Sequence, residues 1–340
     1  MVMPTAIASV IAGQDLSRSD MLDVMRCIMS GEASDAQIGG FLVGLRIKGE
    51  SIDELVAAAT VMRELATPVQ SELTHLVDTC GTGGSGLNKF NVSTASAFVA
   101  AAAGAKVAKH GNRGASSKSG SADVLEAAGA EIMMSPEQVG RCLDNIGVGF
   151  LFAQSHHSAM KHAIGPRREL LTRTMFNLLG PLTNPAGARR QLIGVYELKW
   201  VRPLVEVLRD LGSEHVMVVH SEDGLDELSI SAPSHVAELV NGEISEYVVK
   251  PEDFGLSPSP LSELVIDSSE SSLVLLKKAI NGEHEGASNI VALNAGAAIY
   301  LAGLCDSFGS GVEMAQDAIG SGLAKEKMSE FVHFTQQVVG

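Results

Sequence analysis

A glycine-rich turn between two candidate strands constrains the fold of this chain more than any other feature. The turn, Gly81-Thr-Gly-Gly-Ser-Gly86, follows the apolar pair Leu76-Val77. Because glycine has no Cβ, the backbone amides of such a turn can approach an anion closely. A helix predicted over 95–103, capped by Ser93 or Thr94, would add free amides and the positive end of its dipole. These residues therefore predict a phosphate site within one strand–helix–strand unit.

Positive charges follow the second candidate strand of this unit, Lys106-Val107-Ala108. Lys109 and Arg113 come directly after the strand, and Lys118 lies in the serine-rich loop 116–121. Open α/β sheets usually bind their ligands at the carboxyl ends of the strands. We therefore expect these cations to reach the same anion, and the combination favours a large phosphorylated ligand over a simple tight turn.

An acidic loop follows a strongly apolar candidate strand at 215–220. The loop, Ser221-Glu-Asp-Gly-Leu-Asp-Glu227, places several carboxylates at the end of that strand. Mg²⁺ prefers oxygen ligands and usually binds through one or two carboxylates plus substrate phosphates. Since a phosphate site is already indicated, we interpret the loop as a magnesium site, with an acidic surface turn as the alternative.

Histidines and arginines supply further candidates after the apolar segment 150–152. Three histidines between 156 and 162 lack the HExxH spacing of a zinc site, so a substrate contact and a purely structural role both stay open. Arginines lie on a helix predicted over 167–179, with Pro166 in its first turn. An arginine at the start of this helix could reach an anionic substrate.

Charge and cysteine content limit the class of protein. The 340 residues include 40 acidic and 25 basic ones, for a formal net charge of −15, which argues against a nucleic-acid-binding surface. The four cysteines are scattered without a CxxC pair, which favours reduced thiols in the cytoplasm over a zinc site or a disulfide framework. Cys80 is interpreted as a small buried residue rather than a catalytic thiol. We expect neither a signal peptide nor a membrane span.

The order of predicted elements indicates an α/β protein. Residues 1–70 read as helices, two of them opened by the capping-box patterns Ser34–Gln37 and Ser51–Glu54. Strands and helices then alternate, and we expect one strand at 130–134 and a hairpin around Asn241-Gly242. The chain is largely helical from 271 onward. We therefore predict a small all-helical N-terminal domain plus a larger α/β domain with a central, mostly parallel sheet.

Taken together, these stretches resemble the anthranilate phosphoribosyltransferase family of the nucleoside-phosphorylase-like glycosyltransferase class, and the similarity spans nearly the whole chain. The matching motifs are Gly81-Thr-Gly-Gly84, Asn91-Val-Ser-Thr94, Lys109-His-Gly-Asn-Arg113, Lys118-Ser-Gly-Ser-Ala-Asp123, Phe152-Ala-Gln-Ser-His-His157, Arg173-Thr-Met-Phe-Asn-Leu-Leu-Gly-Pro-Leu-Thr-Asn-Pro185 and Asp223-Gly-Leu-Asp-Glu227. Two positions depart from the family pattern. Ser85 stands where the family usually has Asp, and Lys89 stands where it usually has Thr.

The resemblance implies a reaction and an organisation. Anthranilate and 5-phosphoribosyl 1-diphosphate would give N-(5-phosphoribosyl)anthranilate and diphosphate, the second step of tryptophan biosynthesis from chorismate, with two Mg²⁺ ions per active site. A helical domain of residues 1–70, completed by a segment near 165–185, would pair into a homodimer. Residues 71–164 and 186–340 would form the α/β domain that binds the phosphoribosyl donor, and the substrates would meet in the cleft between the domains.

The resemblance also implies roles for individual residues. Lys109, Arg167 and His110 are the expected catalytic residues. The residues expected around the phosphoribosyl donor are Gly81, Gly84, Ser85, Lys89, Asn91, Val92, Ser93, Thr94, Lys109, Ser117 and Ser121. Those expected around anthranilate are Gly81, Asn112, His157 and Arg167, with His110 also lining its tunnel. Ser93 and Glu227 would bind one magnesium ion, and Asp226 and Glu227 the other.

Three other functions stay open at this level. A dinucleotide-binding oxidoreductase fits the spacing of Gly81, Gly83 and Gly86, but polar residues 87–92 intervene before the helix, and the second strand ends in Lys109 rather than leading to an acid. A pyrimidine nucleoside phosphorylase would share the fold class, although such chains usually carry an extra C-terminal domain. An inactive relative that only binds ligand is the third alternative, because Ser85 replaces the usual acid.

Overall fold

The N-terminal helices begin where the sequence places their caps. The computed structural model describes residues 1–84, 86–114 and 117–339. Ser34 accepts a hydrogen bond from the amide of Gln37, whose side chain accepts one from the amide of Ser34. Ser51 and Glu54 form the same reciprocal pair. Both predicted capping boxes are therefore confirmed, and each satisfies two amides that a helix start leaves without partners.

Fifteen α-helices and seven strands form within the described residues. The helices are α1 Met3–Ile11, α2 Arg18–Ser30, α3 Asp35–Lys48, α4 Ile52–Leu65, α5 Val92–Ala102, α6 Ser121–Ala127, α7 Pro136–Ile146, α8 Ala153–His156, α9 Lys161–Leu170, α10 Phe176–Leu179, α11 Val201–Asp210, α12 Ser269–Ile280, α13 Glu285–Leu301, α14 Phe308–Gly320 and α15 Leu323–Val339. The strands are β1 Val77–Thr79, β2 Val107–Gly111, β3 Val148–Phe152, β4 Arg190–Gly194, β5 His215–Ser221, β6 Ser234–Val240 and β7 Glu243–Val249. None of the helices in the described part of the chain is long and apolar enough to cross a membrane.

All seven strands form one sheet, in the order β3-β2-β1-β4-β5-β6-β7. The first five strands in this order run parallel, and β6 and β7 are antiparallel additions. The predicted fold class, a helical N-terminal domain plus an α/β domain with a mostly parallel sheet, is confirmed. Successive strands extend from β1 to one side and from β4 to the other, so the topological switch point lies between these two strands.

The two faces of the sheet belong to different apolar clusters. In β5, Val216 and Val218 pack in a cluster that includes the N-terminal helices and α11, whereas Met217 and Val219 pack in the cluster that contains α5 and α13. This alternation follows the two-residue period of a strand. Helix α9 lies against α2 and α3, and α10 lies against α4, so the segment that carries the predicted arginines packs on the N-terminal helices.

Two predicted elements are wrong. Residues 130–134 have the alternating burial of a strand but pair with no strand among the described residues; the amide of Glu131 donates instead to Thr335 Oγ1 on α15. The helix predicted over 167–179 begins earlier, at Lys161, and ends at Leu170, because Leu171 adopts a left-handed φ of 47°. Pro166 therefore lies inside α9 rather than in its first turn. The predicted hairpin is confirmed, with positive φ at both Asn241 and Gly242, as a tight two-residue turn requires.

Candidate active site

A small cavity lies at the carboxyl end of the sheet, at its switch point. The glycine turn contributes Gly81, the first turn of α5 contributes Ser93, and the acidic loop contributes Asp226 and Glu227. Three stretches that the sequence marks separately thus line one cavity. The acidic loop therefore lies next to the candidate phosphate site rather than on a remote surface.

Glycines at the ends of β1 and β4 let the acidic loop approach the sheet. A Cβ placed on Gly194 would lie 1.4 Å from the carbonyl oxygen of Asp226. A Cβ placed on Gly81 would lie 3.0 Å from Oδ2 of Asp226. No residue with a side chain can occupy position 194 in this arrangement. The absent Cβ atoms thus leave the space that the backbone of Asp226 occupies.

Lys89 forms an ion pair with both carboxylates of the acidic loop. Its Nζ lies 2.5 Å from Asp226 Oδ1 and 2.6 Å from Glu227 Oε2. Burial alone would raise the pKa of Asp226, but the adjacent ammonium lowers it below its ordinary value. Burial and the charge of Asp226 raise the pKa of Glu227 to about 7. The ammonium of Lys89 stays charged, since the two carboxylates outweigh its burial and raise its pKa.

Lys109 is buried between β1 and α5. Its Nζ donates to the carbonyl of Thr79 at 2.6 Å and to Ser93 Oγ at 3.3 Å. Burial lowers the pKa of Lys109 below its ordinary value. Arg113 points elsewhere, because Asp123 and Glu126 form ion pairs with it. Of these two cations, Lys109, which lies within β2, contacts the start of α5, whereas Arg113 is paired with acidic residues of α6.

Asn91, rather than Ser93 or Thr94, is the N-cap residue of α5, so the predicted cap is wrong by two or three residues. Its Oδ1 accepts hydrogen bonds from Ser119 Oγ at 2.8 Å and Ser272 Oγ at 2.7 Å, and these bonds hold its side chain away from the first amides of the helix.

The other residues predicted around the donor surround this cap. Val92 is the first residue of α5, Thr94 Oγ1 lies 3.1 Å from Ser121 Oγ, and Ser117 Oγ donates to the carbonyl of Ser119. Gly84 has a φ of 84°, and its carbonyl accepts a hydrogen bond from Arg173 Nη2. Ser85 lies outside the described residues. The structure thus gathers Asn91, Thr94, Ser117 and Ser121 around the start of α5, whereas Gly84 contacts Arg173.

Two neighbouring histidines lie near the carboxyl ends of β2 and β3, His110 within β2 and His157 directly after α8. The ring centroids of His110 and His157 are 5.3 Å apart, and their ring nitrogens accept or donate no hydrogen bond within the described residues. Burial lowers the pKa of His110 to about 3 and that of His157 to about 4. Both imidazoles are therefore neutral near pH 7, which suits the wall of an aromatic site better than an anion site.

The buried neutral state of His157 predicts a loss of stability in acid. As the pH falls below the ordinary pKa of 6.5, the unfolded chain takes up a proton at His157 that the folded chain refuses until about pH 4. Stability is lost in this window because the unfolded state binds more protons. Between pH 7 and 4.5, the unfolding free energy of wild type should therefore fall by about 2 kcal/mol more than that of His157→Asn. Urea unfolding at each pH measures this difference in unfolding free energy. His333→Asn is the control, because His333 is exposed. Equal pH slopes in wild type and His157→Asn would contradict the burial cost.

Arg167 is a partly buried guanidinium near the N-terminal helices. Its Cζ lies 5.2 Å from the centroid of the Phe176 ring, and among residues 1–84, 86–114 and 117–339 no carboxylate lies within 4 Å of it. Burial lowers its pKa below the ordinary value. Asn112 is exposed, and its Oδ1 accepts a hydrogen bond from Gln154 Nε2 at 3.4 Å. A buried cation without an acidic partner is suited to an anionic ligand.

Comparisons with known proteins identify the family. Residues 4–66 match the helical bundle domain and residues 73–325 the a/b domain of a glycosyl transferase family. The anthranilate phosphoribosyltransferase of Marinomonas sp. (strain MWYL1) is 60% identical over 338 residues, which cover 99% of this chain and 98% of that protein. The chain belongs to the anthranilate phosphoribosyltransferase family.

Solved structures of the family share the fold. The crystal structure of anthranilate phosphoribosyltransferase from Thermus thermophilus is 42% identical, with a TM-score of 0.92 over 97% of this chain and 99% of that chain. The Saccharomyces cerevisiae enzyme, described in complex with PRPP (5-phosphoribosyl 1-diphosphate) and Mg, is 24% identical, with a TM-score of 0.89 over 98% of both chains. At that identity the likeness extends to the fold alone.

Within this family framework, the acidic loop offers a donor set that fits Mg²⁺. Asp226 brings a buried carboxylate, and Glu227 a partly buried one, to a cavity that Ser93 also lines. Glu227 Oε2 has the ion-pair contact to Lys89 but accepts no hydrogen bond from any residue that the structure describes. A hard cation prefers such oxygen donors.

Sequence reasoning missed several residues that hold the site together. Asn294, on the buried helix α13, accepts from the amide of Leu228 and donates to its carbonyl, which fixes the end of the acidic loop. Asn184 donates to Asp78 Oδ2, and Asp78 accepts the amide of His110. A lone amide side chain in an otherwise apolar helix is a signal that could have found Asn294, since buried polar groups need partners.

Proposed function

We propose that this protein transfers the 5-phosphoribosyl group of PRPP to the amine of anthranilate, releasing diphosphate. The observation that carries the proposal is one cavity at the switch point, lined by the glycine turn, the start of α5 and the acidic loop, in a chain of this family. A glycine turn, a helix start and a pair of carboxylates that meet at one point suit a ligand with a phosphorylated and a metal-binding end.

The donor would bind through its phosphates. Backbone amides of the turn 81–84 and of the first turn of α5 can donate to phosphate oxygens, and Lys109, within β2, supplies a positive charge next to Ser93. Asn91, Thr94, Ser117 and Ser121 add polar groups around the same helix start. These are fixed donors, so they need little reorganisation when charge develops on the leaving diphosphate.

Asp226, Glu227 and Ser93 would hold Mg²⁺, and we propose two ions per site, one shared by Ser93 and Glu227 and one by both carboxylates. When bound, Mg²⁺ would neutralise part of the charge on the leaving diphosphate. Support for magnesium comes from the two carboxylates and the Ser93 side chain that line one cavity and from the yeast family member in complex with PRPP and Mg.

The acceptor would be positioned rather than activated. Breaking the bond from C1 to diphosphate would leave an oxocarbenium-like ribosyl centre, and the amine of anthranilate is already a usable nucleophile. No general base is therefore required, and the contribution of the protein is to place the amine in line with C1. Arg167 would pair with the anthranilate carboxylate through its planar guanidinium, while neutral His110, His157 and Asn112 would line the ring.

The proposal includes an organisation of the whole chain. Residues 1–70 with the segment near 165–185 would form the helical domain, and residues 71–164 and 186–340 the domain that binds the donor. The hydrogen bond from Arg173 to Gly84 joins the two regions next to the glycine turn. We further propose that the protein is cytoplasmic and forms a homodimer through the helical domain.

The deciding experiment follows the fluorescence of anthranilate after mixing with protein, PRPP and Mg²⁺. We expect a loss of fluorescence that requires PRPP and produces diphosphate in equal amount. No loss over hours, with PRPP binding intact, would instead favour an inactive binding relative. Phosphate-dependent release of thymine from thymidine would favour a nucleoside phosphorylase.

A further inference from the structure

Lys89 holds a position between two carboxylates that a cation from solvent would otherwise take. The exposed fractions of the side chains are 13% for Lys89, 6% for Asp226 and 12% for Glu227. An ammonium group buried at 2.5 and 2.6 Å from two carboxylates is their counter-ion, because two adjacent buried charges of one sign need compensation. The positive charge that compensates the two carboxylates is therefore supplied by a side chain of the protein, Lys89.

The backbone on both sides of this contact is fixed. Lys89 forms a β-bridge with Val265, and the amide of Ile266 donates to the carbonyl of Asn88 at 2.7 Å. On the other side, the carbonyl of Asp226 lies against Gly194. The ammonium can therefore leave the carboxylates only by rotation within its own flexible four-carbon stem.

A divalent ion on the same oxygens would stand directly beside the ammonium. Two cations at such a separation repel strongly where water is scarce. Binding of the metal alone must thus displace Lys89 from Asp226 and Glu227, the two carboxylates within 4 Å of its ammonium among the described residues. A diphosphate group in the cavity changes this balance, since it gives the displaced ammonium a new anionic partner.

We propose that Lys89 is a resident counter-ion of the Asp226–Glu227 pair, so that the free protein binds divalent cations weakly and takes them up together with a diphosphate-bearing ligand. The identity of that ligand rests on the proposed function; the weak binding of metal alone does not. Metal and ligand would then increase each other's affinity, because such coupling is reciprocal.

The test uses Mn²⁺ alone as the probe, titrated into the full chain and followed by electron paramagnetic resonance. Lys89→Met keeps the length of the stem and removes the charge, so we expect it to bind Mn²⁺ at least about tenfold more tightly than wild type. Lys327→Met, which removes a lysine paired with Glu330 on α15, should bind like wild type. Equal or weaker Mn²⁺ binding by Lys89→Met would overturn the proposal.

A second measurement covers the case in which the variant folds poorly. In EDTA, Lys89→Met should unfold at a lower temperature than wild type, since two buried carboxylates lose their counter-ion. Added Mg²⁺ should raise the Tm of the variant by several degrees and leave that of wild type nearly unchanged. Independently of any variant, a Kd below about 10 μM for Mn²⁺ and wild-type protein would overturn the proposal. Neither readout involves turnover, so a failure of the transferase assay and a failure of this proposal remain distinguishable.

Discussion

Replacing Asp226 with Asn and Glu227 with Gln in one chain is expected to lower turnover about 10²- to 10³-fold at saturating Mg²⁺. Both carboxylates line the cavity at the switch point, and the backbone of Asp226 packs closely against Gly194. Neutral amides of nearly the same shape keep the packing but cannot hold a divalent ion against a leaving diphosphate. The loss should therefore fall on kcat more than on the KM for anthranilate.

Glu222→Gln supplies the matched control for this double variant. Glu222 lies in the same loop but is exposed, and its partner is His235 at 3.4 Å. We expect its kcat to stay within about twofold of wild type, because exposed ion pairs contribute little. The measurement is steady-state anthranilate consumption at increasing Mg²⁺. Near-normal turnover in the double variant would mean that the acidic loop is a surface turn after all.

Arg167→Ala is expected to raise the KM for anthranilate about 10- to 100-fold, which is the usual effect of losing a charge-assisted, two-pronged contact with a carboxylate. The KM for PRPP should change less than about threefold, since Arg167 lies on α9, which packs against the N-terminal helices rather than on the glycine turn. The structural reason for the choice is a partly buried guanidinium that has no carboxylate within 4 Å in the described residues.

The neighbouring Arg168→Ala is the control, because Arg168 is exposed on the same helix. Initial rates measured with each substrate varied in turn separate the two Michaelis constants. A larger effect on PRPP than on anthranilate would reverse the assignment of Arg167. Equal effects in both arginine variants would point to damage to α9 instead of a lost contact.

Features governed by neighbouring residues could be predicted from the sequence. The capping boxes Ser34–Gln37 and Ser51–Glu54 need only residues three apart, and the tight turn at Asn241-Gly242 needs only two residues that tolerate positive φ. The glycine turn and the acidic loop are likewise local signals. The parallel order of the strands then brings their carboxyl ends to one edge, which is why separate motifs could be expected to meet.

Features that depend on distant partners could not be predicted. Residues 130–134 alternate between buried and exposed like a strand, yet their partner is α15 instead of a neighbouring strand. The sequence indicated that Lys89 adds a positive charge near the donor. It did not indicate that Lys89 forms an ion pair with Asp226, which lies 137 positions away. Such pairings are set by the tertiary fold, which local patterns do not specify.

The contact between Gly194 and Asp226 has a consequence for how far the substrate range can be altered. A single methyl group at position 194 would collide with the carbonyl of Asp226, so the end of the crevice that would hold diphosphate cannot be reshaped by substitution there. Arg167 is carried by a separate helix that contacts α2 and α3. Directed evolution toward new aromatic amines should therefore collect its successful changes on α9 and its neighbours, and leave the rim of the sheet untouched.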